Sequence, residues 1–233
     1  MFSIIRKEFK SLANPEKAKL LAGFFKTGKG EYAEGDHFWG VMVPQTRKIA
    51  RKYSAEIKIE DLKIILAKGW HEERLCALLM LLEKFEQGSE AEKRKIFDFY
   101  LAHTRFVNNW DLVDLSAPRI VGGYLTGKSK AVLLKIARSK NLWERRIGIL
   151  GTFWDIRQGN CEMAFKVSKI LLRDKHDLIH KAVGWMLREC GKKCGEKKLE
   201  EFLLQNISQM SRTTLRYAIE RFPEKKRLGY LKI

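Results

Sequence analysis

Five segments of this 233-residue chain can be laid on one another: ERLCALLMLLEKF, NWDLVDLSAPRIV, RRIGILGTFWDI, HKAVGWMLRECG and LRYAIERF. Anchored at Arg74, Trp110, Arg145, Lys181 and Arg216, they recur every 35 or 36 residues. Two positions after each anchor stand Cys76, Leu112, Ile147, Val183 and Ala218; three after stand Ala77, Val113, Gly148, Gly184 and Ile219. Small or apolar side chains at a fixed offset allow one helix to approach the next closely. A period of this length belongs to stacked helical hairpins, none of which can bury its apolar face without its neighbours.

The local pattern agrees with helices. IEDLKIILAKG and SEAEKRKIFDFYLAHT space their apolar residues three and four apart, and strand-like alternation is hard to find. Only 4 prolines occur, each placed where a helix start or a turn tolerates it: Asn14-Pro15 is a cap followed by the first helical position, and Pro44 opens VPQTRKIARKY. The expectation is an all-α chain, a HEAT-like or armadillo-type helical repeat solenoid with a concave basic groove. It is read as a single domain over residues 1–233.

Charge bears on the partner. Lys and Arg number 46 against 28 acids, a formal net charge of +18, and they cluster in WERR, GKKCGEKK and PEKKR while recurring along the whole chain. A membrane anchor would concentrate its basic residues in one amphipathic segment, so a nucleic acid is the favoured partner over an anionic membrane. No uncharged run approaches the roughly 18 residues of a membrane span. The start, MFSIIRKEFK, meets charge at Arg6 before a signal-like apolar stretch develops. A cytoplasmic protein is therefore expected.

Metal chemistry finds little support. Cys190 and Cys194 in CGKKC have no matching second pair, so the four cysteines (Cys76, Cys161, Cys190, Cys194) are expected to be reduced thiols, two of them filling the core. His176 and His180 in HDLIH lack the glutamate of a metalloprotease motif and read as helix-entry histidines.

One acid breaks the apolar pattern. Four after the anchors stand Leu78, Asp114, Ile149, Trp185 and Glu220, a mixed set that suggests a partly exposed edge of the packed face. Trp110 and Asp114 then share one side of a helix, about 6 Å apart along its axis. Asp114 is too deep for a cap if Asn108 or Asn109 caps the helix, and Arg145, Arg146 and Arg188 fall in equivalent helices. Aromatic faces attract cations, and a carboxylate stabilises positive charge that develops in a transition state. Such a constellation on a basic surface suits a cationic group carried on a polyanion, and an alkylated purine in DNA is one.

From VPQTRKIARKY through WHEERLCALLMLLEKF, NNWDLVDLSAPRIVGGYL, LWERRIGILGTFWDIRQG and HDLIHKAVGWMLRECGK to MSRTTLRYAIERFP, the chain resembles the DNA alkylation repair family of the AlkD type, the HEAT-like repeat DNA glycosylases. The resemblance implies excision of N3- and N7-alkylpurines such as 3-methyladenine and 7-methylguanine from double-stranded DNA, by hydrolysis of the N-glycosidic bond and without turning the base into a pocket. It implies no metal or other cofactor, and a monomer is sufficient. By resemblance the catalytic acid is Asp114 in WDLVD, and the lesion-facing tryptophans are Trp110 and Trp185. Arg146 in WERR contacts DNA, with Arg145 and Arg188 as further phosphate ligands. Asn109 departs from the aromatic that some members carry before the first tryptophan. Two other readings share the repeats and the charge: a DNA-binding protein without chemistry, and a protein-protein scaffold.

Overall fold

A computed structural model describes residues 1–232, and among them helices are the only regular elements. The chain forms two compact units that meet in sequence at Ser116 and Ala117.

The first unit contains α1 (Phe2–Ser11), α2 (Pro15–Phe24), α3 (Val43–Tyr53), α4 (Ile59–Lys68), α5 (His71–Gln87), α6 (Glu90–Ala102) and nearly all of α7 (Trp110–Ala117). Its spine is α5, against which α3, α4 and α6 pack. The run LCALLMLL leaves that helix no polar face to turn outward, and every residue from His71 to Leu82 is buried. Caps follow the local chemistry. Asn14 Oδ1 accepts the Lys17 N–H at 3.0 Å ahead of Pro15, and Ser89 and Glu92 form a reciprocal box at the start of α6. Two buried glutamates at the α5 entrance also find donors. Glu73 takes both a bidentate contact from Arg6 at 2.8 and 2.7 Å and the Trp70 N–H, whereas Glu72 accepts the backbone N–H groups of Trp39, Gly40 and Val41. Gly40 is needed at that turn: φ is +77°, and a Cβ there would stand 2.2 Å from the Asn14 carbonyl oxygen.

The second unit opens with a π-helical turn at Pro118–Gly122. It continues through α8 (Ala131–Ile136), α9 (Leu142–Leu150), α10 (Phe153–Arg157), α11 (Glu162–Leu171), α12 (Asp177–Cys194), α13 (Glu196–Asn206), α14 (Arg212–Ala218) and α15 (Glu224–Lys232). Here α12 is the spine, contacted by α9, α10, α11, α13 and α14. HDLIH starts it: His176 Nδ1 caps the Leu178 N–H at 3.2 Å, and the His180 ring binds the Asp174 carbonyl oxygen at 2.5 Å, the helix-entry roles expected of them.

All five anchors lie in helices, and the side chains two and three positions beyond each are buried. The small residues work as expected at Gly148 and Gly184. A Cβ at Gly148 would stand 3.2 Å from Ala137 N and Leu133 O, and one at Gly184 would stand 2.4 Å from Tyr217 Cβ. The fourth position does not behave as one edge. Leu78 and Ile149 are fully buried, Asp114 and Trp185 half-buried, and Glu220 exposed, because α5 is wrapped on every side while α14 is not.

The cysteines correct the sequence reading. Cys76 and Cys190 are the two buried free thiols, but Cys161 and Cys194 form a disulfide between the N-cap of α11 and the last residue of α12. Antiparallel packing of α11 on α12 brings together residues 33 apart in sequence, which spacing alone does not reveal.

Candidate active-site cleft

Helix α7 begins where the sequence demands it. Asn109, wholly buried, accepts the Trp110 N–H on Oδ1 at 2.8 Å and the Val113 N–H on its carbonyl at 3.1 Å. Trp110 and Asp114, one turn apart, both line a cleft of about 420 Å³ in the first unit. Its walls are mostly apolar, with Leu21, Phe24 and Phe25 from the end of α2 and Val41 to Val43 opposite; its polar groups are His71, Glu72, Asp111 and Asp114. The Trp110 indole lies 5.1 Å from the Phe25 ring and 22° from parallel to it, with the Phe24 ring edge-on at 5.8 Å. Asp114 also lies close enough to the buried Tyr100 for its charge to matter. Burial chiefly, helped by that charge, pushes the Tyr100 phenol up, and its hydroxyl stays paired with Ser116 at 2.8 Å.

Behind this wall is a buried charge cluster that periodicity gave no reason to expect. His71, 2% exposed, places Nδ1 3.0 Å from Asp36 Oδ2 and Nε2 2.8 Å from Asp111 Oδ2. Arg74, one turn along α5, donates to Asp36 and to Asn108, the residue before the Asn109 cap. Burial alone would lower the His71 pKa. The two carboxylates, Asp111 more than Asp36, overcome it and push the imidazole up to about 9. Asp36 in turn is held below the usual carboxylate range by His71 and Arg74, against the opposing effect of burial. Glu72 goes the other way: burial raises its carboxyl even though three backbone N–H groups donate to it.

The other sequence-predicted residues belong to the second unit. Trp185 in α12 is half-buried, with Phe153 5.6 Å away. All three arginines have partners inside that unit. Arg145 binds Asp174 at 2.6 Å and the carbonyls of Ser139 and Lys140; Arg146, 5% exposed, donates to the Leu178 carbonyl at 2.5 Å. Arg188 pairs with Glu220 and approaches Glu189 at 3.5 Å. These pairings differ in how readily they would yield to a phosphate. Glu220 is 55% exposed and easily rehydrated, whereas Asp174 is 7% exposed, so Arg188 is readier than Arg145 to exchange its partner.

Sequence reasoning missed His71, Asp36 and the two phenylalanines, Phe24 and Phe25, against Trp110. The only available signal was the histidine at the first helical position of WHEER, next to two acids, and its true partners lie 35 and 40 residues away. Trp39 and Trp70 stack on each other at 4.0 Å at the start of α5. Trp143 is buried and Trp154 half-buried.

An all-helical repeat protein with an acid-and-tryptophan cleft is the class that fold and site define. The family profile described as DNA alkylation repair enzyme matches residues 5–222, nearly the whole chain, and the protein belongs to that family. Among solved structures it resembles a predicted DNA alkylation repair enzyme from Enterococcus faecalis, with a TM-score of 0.69 at 19% identity over 91% of this chain and 97% of that one. At that identity the likeness speaks for the fold. No curated protein matches the chain. Among the described residues, no helix is long and apolar enough to cross a membrane.

Proposed function

We propose that this DNA alkylation repair enzyme is a glycosylase that hydrolyses the N-glycosidic bond of cationic N3- and N7-alkylpurines in duplex DNA. The observation that carries the reading is the joint placement of Asp114 and Trp110 in one largely apolar cleft. An alkylated purine is already positively charged and leaves readily, so the demand on the protein is to stabilise positive charge developing on the sugar. A carboxylate in a poorly hydrated setting does so far better than in water, and an indole face adds attraction for a cation.

In this reading Asp114 stabilises the oxocarbenium-like sugar and orients the attacking water, with Trp110 against the same sugar. Trp185 is assigned to the damaged nucleotide by resemblance. Arg146, Arg145 and Arg188 are assigned to phosphates, with Arg188 more available than Arg145. Phosphate contacts fix position without reading sequence, and the net charge of +18 provides the long-range attraction. The protein acts as a cytoplasmic monomer on double-stranded DNA, without a cofactor.

The test is release of 3-methyladenine and 7-methylguanine from methylated duplex by the wild type and by Asp114→Asn. Loss of the charge is expected to slow excision by about a hundredfold or more, the range for removing one electrostatic stabiliser, with affinity for undamaged duplex unchanged. A wild type that releases base no faster than the spontaneous rate would remove the glycosylase reading and leave a DNA-binding protein.

A further inference from the structure

The buried charge cluster lies outside any residue assigned so far to the chemistry, yet it is bonded to the helix that carries the chemistry. We propose that His71 is a positioning residue for the excision site: its doubly donating imidazolium, held between Asp36 and Asp111, pins the first turn of α7 and so fixes where Trp110 and Asp114 stand in the cleft.

The geometry argues for this in three ways. A neutral imidazole has one N–H and can donate to one carboxylate only. With carboxylate oxygens at 3.0 Å from Nδ1 and 2.8 Å from Nε2, a neutral ring would set a lone pair against an anion on one side, so the arrangement calls for the cation. Next, Asp111 lies in the first turn of α7, between Trp110 and Asp114. That turn has two ties of its own, the Asn109 cap and the Asp111 contact with His71. Finally, the Phe25 ring is 4.7 Å from the imidazole and 5.1 Å from the Trp110 indole, so displacement of His71 disturbs the tryptophan by a second route.

The charged groups facing His71 are Asp36 from the segment before α3, Asp111 from α7, and, on α5 itself, Glu72 beside it and Arg74, which reaches Asp36. Asp114 lines the same cleft. With His71 protonated, Asp36 and Asp111 are balanced by His71 and Arg74. Deprotonation leaves Asp111 without its cation.

The consequence for excision rests on the glycosylase reading, so the experiment has an arm that does not. In the full-length protein labelled with nitrogen-15, both ring nitrogens of His71 are expected to be protonated at pH 7.5 and to lose a proton near pH 9, with the indole N–H resonance of Trp110 moving at the same midpoint. In His71→Gln that movement is expected to vanish. Single-turnover excision by this variant at pH 7.5 should be slower by up to about a hundredfold, as for a functional group displaced by an ångström. It should also lack the wild-type decline above pH 9, while affinity for undamaged duplex is kept. If His71→Gln does not fold, Asp111→Asn takes its place, and the expected result is a His71 midpoint well below that of the wild type. The proposal is overturned by a His71 ring carrying a single proton at pH 7.5, by a Trp110 resonance that ignores its titration, by an unchanged midpoint in Asp111→Asn, or by wild-type excision in His71→Gln. If the wild type releases no base, the glycosylase reading fails, and the resonance arm alone decides whether His71 positions α7.

Discussion

Phe25 and Trp110 lie nearly parallel, their ring centroids 5.1 Å apart, so one face of the indole is committed to the protein while the residue as a whole stays half-buried. Trp185 is also half-buried, beside Phe153. Both rings therefore keep part of their surface open to solvent.

If both act on the damaged sugar, Trp110→Ala and Trp185→Ala should each slow excision by about two- to thirtyfold, the span of a cation-π contribution between exposed and desolvated sites. Binding of undamaged duplex should hardly change. Paired measurements of single-turnover rate and duplex affinity decide it: equal losses in both would make these rings structural.

Stability should depend on pH in a defined sense. His71 is raised from 6.5 in the unfolded chain to about 9 when folded. Its contribution, on the order of 3 kcal/mol, is therefore complete below about pH 6.5 and is lost as pH rises through about 9. Asp36, held low when folded, contributes in the opposite sense: its stabilisation is present above the ordinary carboxylate range and disappears as pH falls. Urea midpoints measured from pH 5 to pH 10 should fall toward the alkaline end in the wild type and fall less steeply in His71→Gln, whose remaining decline comes from the buried Cys76 and Cys190 thiols that burial keeps protonated when folded; equal declines in both proteins would refute the His71 contribution. A flat wild-type profile would refute the assignment.

Gly184 should not tolerate a methyl group. Alanine's Cβ would stand 2.4 Å from Tyr217 Cβ and 2.6 Å from the Thr214 carbonyl oxygen, so α14 would have to move away from α12. A cost of about 1–3 kcal/mol is expected, despite the better helix propensity of alanine. Gly23 in α2 is the control, with nothing within 4 Å of its added Cβ; Gly23→Ala should be neutral or stabilising by up to about 1 kcal/mol. Chemical denaturation of both variants reads the contrast, and similar midpoints would contradict the close packing.

Thiol titration of the denatured, unreduced protein should find two free cysteines, Cys76 and Cys190, and four after reduction. Cys161→Ser should lose about 3–4 kcal/mol, the loop-closure value for a bridge spanning 33 residues. Four thiols before reduction would show the bridge absent in solution.

The amino-acid sequence alone determined the helices, their spacing and the family. The repeat of small and apolar residues behind Arg74, Trp110, Arg145, Lys181 and Arg216 is a local pattern that any helical hairpin must satisfy to stack, and WDLVD marked Asp114 because a carboxylate at that register is costly without a purpose. Tertiary structure alone decided which distant residues meet within each unit. The pairing of His71 with Asp36 and Asp111, the Phe25 ring under Trp110, the bonds of Arg145 to Asp174, Arg146 to Leu178 and Arg188 to Glu220, and the Cys161–Cys194 bridge all join residues about 30 to 85 positions apart. A periodic pattern records which face of a helix is buried. It carries no record of which distant side chain meets that face, because the partner is chosen by packing, and a charge taken out of water is stable only where packing has delivered its counterpart.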